Sequence, residues 1–206
     1  MNQRAGRLNL GVIGAQPRGL AMATALAGAG HYLVGLAALT SDQIRAMETA
    51  DLRSLRNTQI AALTTAQVAA LETTDFAVLS APQMRSLSTE DIAALSTEQA
   101  AVISNTNLAG LYTAQVAAMS TAQVSALTTS TISGLIASQM TALDSAQIAA
   151  LSTAQLPSIA GDSLKGWSAQ QVVALTTSNV AALTTAQVGG ITLAQVSALS
   201  TSQVQA

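Results

Sequence analysis

The residues that could carry chemistry are few, and their spacing leaves most of them without partners. A single histidine, His31, stands between Gly30 and Tyr32 with no Cys, His or carboxylate beside it, so it reads as an exposed or capping residue rather than as a metal ligand. There is no cysteine, which removes disulfides, thiolate nucleophiles and zinc knuckles. Asp51, Asp75 and Asp91 are scattered singly rather than gathered into the set of about 6–8 oxygens that calcium requires. Ser and Thr are abundant, but no His/Asp pattern accompanies them that could turn a hydroxyl into a nucleophile. The stretch Gly11 to Gly19, GVIGAQPRG, has glycines without the GxGxxG spacing or the lysine of a phosphate loop. The sequence therefore predicts no catalytic residue, no cofactor, no metal site and no enzymatic activity.

Composition narrows the classes further. Of 206 residues, 50% are hydrophobic but only 2% aromatic, and charged residues are 9% of the chain with a net charge of −2. Clustered Lys and Arg, which displace counterions from a phosphate backbone, are missing, so no nucleic-acid partner is expected. High hydrophobicity with low charge argues against disorder. No apolar run reaches the roughly 18–20 residues of a spanning helix without glycine breaks, so no membrane span is expected.

A repeat accounts for this composition. From Leu39 to Ala206 the chain reads as 21 consecutive octads with the consensus L-[ST]-T-A-Q-V-A-A, without insertion or deletion. Position one is large and apolar in every copy, from Leu39 through Trp167 to Leu199. Position six is apolar throughout, from Ile44 to Val204, with Ala100 the one small residue. Position five is Gln, Asp or Asn in 19 of 21 copies, the exceptions being Thr131 and Ser163.

A continuous α-helix cannot use such an octad. At about 3.6 residues per turn, eight residues rotate the apolar positions by roughly 80° per copy, off any one face. Apolar positions spaced alternately 5 and 3 apart do not suit a strand of period two either. A broken helix does. Position two is Ser or Thr in 14 copies and Asp144 in another, with the amide or carboxylate of position five three residues on. This is a capping box, and positions one and six are the two partners of a hydrophobic staple. Leu63, Thr64, Gln67 and Val68 carry all four parts. Where position two is Glu48, Arg56, Glu72 or Tyr112, position three offers Thr49, Asn57, Thr73 or Thr113 as an alternative cap. At the Gln position, Asp51, Asp75 and Asp91 read as caps.

Each octad is thus expected to form a helix of about five or six residues, too short to stand alone. The expected fold is all-α: a narrow solenoid of 21 tandem octads, its Leu/Val/Ile spine buried by neighbouring copies and its small position eight permitting close approach. The alternative is a β-solenoid, because Thr and Val favour strands. The number of octads per turn is not readable. Trp167 takes a Leu position beside Gly166 and is expected to be a larger core plug over a loosened stretch from Leu156, with Pro157 and Gly161.

Two domains follow. Residues 1–35 lie outside the repeat and read as a cap or as a weakly signal-like segment, with Arg4, Arg7 and Arg18 ahead of the Gly19–Gly30 run GLAMATALAGAG; residues 36–206 form the octad solenoid. No convincing signal peptide is present. Arg45, Arg53, Arg85 and Lys165 all stand at position seven, which marks an outward position rather than a basic patch. Fifteen of the 18 charges fall in residues 1–98, so the rest of the surface is Thr, Ser, Gln and Ala, poorly protected against self-association.

The repeat, seen best at Leu63–Ala70 and Leu183–Val188, resembles octad arrays of large bacterial secreted or cell-surface proteins of adhesin-like type, over Leu36 to Ala206. The resemblance implies a secreted or cell-surface location, a stalk or spacer role, and no functional residue. Together these readings point to a structural repeat protein that associates with itself head to tail or with other surface components. The alternative is an ice- or carbohydrate-surface binder using Thr/Ser/Gln rows such as Thr176-Thr177 and Thr184-Thr185.

Overall fold

The computed structural model describes residues 39–206. The readings that concern His31 and residues 1–35 lie outside them. Each of the 21 octads makes one helical element: 20 short α-helices, from Ser41–Arg45 to Thr201–Val204, and one 3₁₀ helix at Leu156–Ser158. No strand occurs among the described residues, so the all-α solenoid stands and the β alternative does not.

Every α-helix begins at position three, while the 3₁₀ helix begins at position six, Leu156. Position two is extended (Thr64 has φ −78°, ψ 155°) and sets the entry angle. In the octad of Leu63, Thr64 Oγ1 accepts from the Gln67 N–H at 3.3 Å, and Gln67 Oε1 accepts from the Thr64 N–H at 2.8 Å. That reciprocal pair satisfies two of the orphan donors at a helix start. The helix ends as it began, within the octad: the N–H of the next position one donates to the carbonyl of position six, as Leu71 does to Val68 at 3.2 Å. No described residue, glycine included, has positive φ, so the chain turns without left-handed caps.

One expectation about caps is corrected. Glu48, Arg56, Glu72 and Tyr112 remain the N-cap residues, and Thr49, Asn57, Thr73 and Thr113 are the first helical residues instead. The frame is held by the buried positions one and six, so a poor side chain at position two cannot move the helix start. What these copies lose is only the acceptor. In two of them the glutamine still caps: Gln59 and Gln115 accept from the N–H of Arg56 and Tyr112 at 2.9 and 2.8 Å.

Neighbours in space are three octads apart in sequence, as with Ala81–Arg85 against Asn105–Gly110, or Gly161–Lys165 against Thr185–Gly190. Position one from Leu39 to Leu175 and position six from Ile44 to Val172 form one continuous apolar core. Position eight of one octad meets position three of the octad three copies earlier. A Cβ on Gly134 would come within 2.8 Å of the Asn105 backbone, and one on Gly190 within 2.8 Å of the Gly161 carbonyl. The small residue at position eight is a close-approach device, as expected. Trp167 is buried in the core; the octad with the helix Gly161–Lys165 separates it from the one whose helix degenerates to 3₁₀, at Leu156-Pro157-Ser158.

Candidate functional site

Position five carries the most connected polar groups in the molecule. From Asp51 to Gln203 it is buried in every copy, although it is polar in all of them. A buried amide needs its donors and acceptors satisfied, and the glutamines manage this in two directions at once. Oε1 caps its own helix. Nε2 reaches back to the coil below. Gln99 Nε2 donates to the carbonyls of Leu71 and Val68 at 2.8 and 3.0 Å. Gln123 does the same to Leu95 and Ile92 at 2.6 and 2.9 Å, and Gln139 to Leu111 and Leu108 at 2.8 and 2.9 Å.

The partners lie 28 and 31 residues earlier in each case. These partners belong to the third and fourth octads back, Leu71 to one and Val68 to the other for Gln99, so one coil is between three and four octads long. Shorter side chains keep only part of the bond. Asn107 and Asn179, one methylene shorter than Gln, reach the 28-residue partners Leu79 and Leu151 at 2.7 and 2.8 Å. Thr131 Oγ1 reaches its own, Ile103, at 2.7 Å.

The sequence reading saw half of this. It identified position five as a cap but did not find the inter-coil bond, although a signal was present: an N3 residue whose cap needs only an acceptor is amide far more often than carboxylate. The aspartates show the difference. Asp91 accepts from the Ser88 N–H at 2.9 Å, and the Asp51 carboxylate from the Glu48 N–H at 3.4 Å, so both cap. Asp75 instead accepts from the Thr49 hydroxyl 26 residues earlier, at 2.8 Å. An ionised carboxylate has no proton to offer the carbonyls below. Burial, aided by the neighbouring Glu48 charge, pushes the Asp51 carboxyl above the usual carboxylate range, against the pull of its bond to the Glu48 N–H.

The surface carries less. Arg45 pairs with Asp42 at 3.2 Å and Lys165 with Asp162 at 2.6 Å, both exposed and three residues apart. The lysine holds the Asp162 carboxyl below its ordinary value. Arg85 is exposed as expected, yet engaged: Nε donates to the Gly110 carbonyl at 2.6 Å, and the guanidinium lies 5.2 Å from the Tyr112 ring centre. Among the described residues no group of three or more acidic or histidine side chains could hold a metal, and no helix is long and apolar enough to cross a membrane.

No curated protein matches the chain. The ALTTAQ repeat family model matches residues 44–73 and 68–105, so this part of the solenoid is similar to that family and the chain carries a tandem helical repeat of its kind.

Proposed function

We propose that this is a non-enzymatic structural protein, a stalk, spacer or self-assembling element placed outside the cell or on its surface. The observation that carries the reading is the position-five ladder. Most of the polar side chains buried in the solenoid join one coil to the next. The threonine rows favour the same reading over a surface binder. Thr64, Thr176 and Thr184 spend their hydroxyls on capping helices.

Self-association fits the apolar faces. Position six is covered by the coil above it; in the octads of Leu183 and Leu199, which have no later coil within the 206 residues, Val188 is 53% and Val204 64% exposed. A further octad coil, in the same chain or in a second copy joined head to tail, completes that face.

Adding length tests the spacer reading. Duplicating Leu63–Ala118, seven whole octads and so about two coils, is expected to lengthen the particle by about 16–20 Å at unchanged cross-section, since packed helices sit about 8–10 Å apart. X-ray scattering in solution measures both quantities. A particle that widens instead of lengthening would overturn the reading.

A further inference from the structure

The last coil leaves hydrogen-bond acceptors open. A position-one carbonyl lies ahead of its helix and accepts no backbone N–H among the described residues. Its donor is the side-chain amide three octads later. All five such carbonyls from Leu143 to Leu175 are met in this way, Leu143 by Gln171 at 2.7 Å and Leu175 by Gln203 at 2.6 Å. The series then stops. Leu183, Ile191 and Leu199 have no octad three copies later within the 206 residues, and among the described residues no donor meets their carbonyls.

The apolar spine opens at the same place. At position six Val172 is buried and Val180 half-buried, while Val188 and Val196 are 53% and 46% exposed. At position one Leu175 is buried, whereas Leu183, Ile191 and Leu199 are half-buried. Open carbonyls and uncovered side chains thus alternate along one edge, as they do on each inner coil beneath the coil that covers it. The face continues the contact that joins coils throughout the molecule, so its complement is already present in the chain: apolar residues at positions one and six, with an amide at position five between them. A carboxylate at position five does not qualify. Asp91 caps its helix through the Ser88 N–H but, ionised, has no proton for a carbonyl below.

We propose that this face binds octads of the same repeat supplied by another chain, and that it selects them by the amide at position five. Three consecutive octads with Gln or Asn there place donors on Leu183, Ile191 and Leu199, while their apolar positions close over Val180, Val188 and Val196. The inference rests on the self-assembling reading above and names its partner. An apolar helix without amides would bury three carbonyls with no donor, and a hydrophilic partner would leave the valines wet. The first coil of a second copy offers Gln43, Asp51 and Gln59, with a carboxylate where the middle donor belongs. A run such as Leu175–Ala206, with Asn179, Gln187, Gln195 and Gln203 in succession, is the better match.

A labelled peptide of residues 175–206, titrated with the whole chain and followed by fluorescence anisotropy, tests this. Saturable binding of one peptide per chain is expected. Two variant peptides separate the donor from the cap. With Gln187→Asn, Gln195→Asn and Gln203→Asn the peptide keeps donors of the kind Asn107 and Asn179 use to reach the coil below. With Asn179→Asp, Gln187→Asp, Gln195→Asp and Gln203→Asp it keeps the cap that Asp91 makes but has no donor. In about 1 M NaCl, which screens the added charge beyond roughly 3 Å, the Asp peptide should bind at least about tenfold more weakly than the Asn peptide, because a missing donor costs roughly fivefold in affinity and three are missing. The parent peptide should lose its site on a chain carrying Val188→Lys and Val196→Lys, checked for the parent's helical circular dichroism. An Asp peptide that binds as well as the Asn one, or a lysine chain that binds like the parent, overturns the proposal. Absence of any binding overturns it too, and leaves the spacer reading to its own scattering test.

Discussion

Replacing Gln139 with leucine removes one rung of the ladder while nearly conserving volume. Gln139 is fully buried. Its Nε2 donates to Leu111 and Leu108, and its Oε1 accepts from the Ile136 N–H at 3.1 Å. Ile136 has no side-chain acceptor of its own, so the glutamine alone caps that helix from a side chain. The substitution removes these three hydrogen bonds at about 1 kcal/mol each, with a longer fourth to the Ala109 carbonyl at 3.3 Å, and leaves the Ile136 N–H and the Leu111 carbonyl short of partners, at about 1–3 kcal/mol apiece. The Leu108 carbonyl keeps the Leu111 N–H at 3.1 Å, and the added apolar surface offsets part of the loss. The expected net cost is about 3–5 kcal/mol, a large share of the roughly 5–15 kcal/mol that stabilises a domain.

A graded comparison sharpens this. Gln139→Asn should keep the donor to Leu111 and lose those to Leu108 and Ala109, as Asn107 and Asn179 show by bonding the 28-residue partner alone. It should cost about 1–2 kcal/mol. Urea unfolding followed by circular dichroism at 222 nm gives both values, compared at equal slope. A leucine variant that costs less than about 1 kcal/mol, or an asparagine variant as damaging as leucine, would refute the ladder as the main inter-coil tie.

Four further outcomes follow from single positions. Gly189→Ala should stabilise by about 0.5–1 kcal/mol, because a Cβ there meets nothing within 4 Å and helical glycine is costly; Gly190→Ala, one residue on, should destabilise by about 1–3 kcal/mol because its Cβ would strike the Gly161 carbonyl; thermal melts of the pair decide it. Asp91→Gln restores a donor toward the coil below and should gain about 1–2 kcal/mol in urea unfolding. Asp51→Asn should stabilise at neutral pH. The folded carboxyl titrates above its unfolded value because of burial, so its ionisation weakens the fold, and the advantage of asparagine should vanish as melts are taken at falling pH through the carboxylate range. Trp167→Phe should lie within about 1 kcal/mol of the parent in chemical unfolding, since the smaller ring also removes a buried indole N–H that has no acceptor.

The local half of the fold was legible because it is written within eight residues. Thr64 with Gln67 states where a helix starts, and Leu63 with Val68 states what it buries, so helix, cap and core follow from a window shorter than the repeat. The alternative caps at Thr49, Asn57, Thr73 and Thr113 failed for a reason outside that window: burial of positions one and six, shared with other coils, outweighs the preference of one side chain. The inter-coil bond was hidden for the same reason. Nothing in the octad around Gln123 says that its amide meets Leu95 rather than water, because Leu95 lies 28 residues away.

A coil between three and four octads long has consequences of its own. Because the number is not whole, each octad sits over the junction of two below it, and the long amide of Gln99 can touch both, taking Leu71 from one and Val68 from the other. A whole number would stack like on like and leave one of those carbonyls without its donor. Contacts between coils join residues distant in sequence, as Arg85 meets Gly110 and Tyr112, 25 and 27 residues on. Substitutions at outward positions therefore act on strips rather than on segments. A charge placed at one position seven is felt by residues about 28 away before it is felt by the next octad, and the array can carry several distinct surfaces on one repeated core.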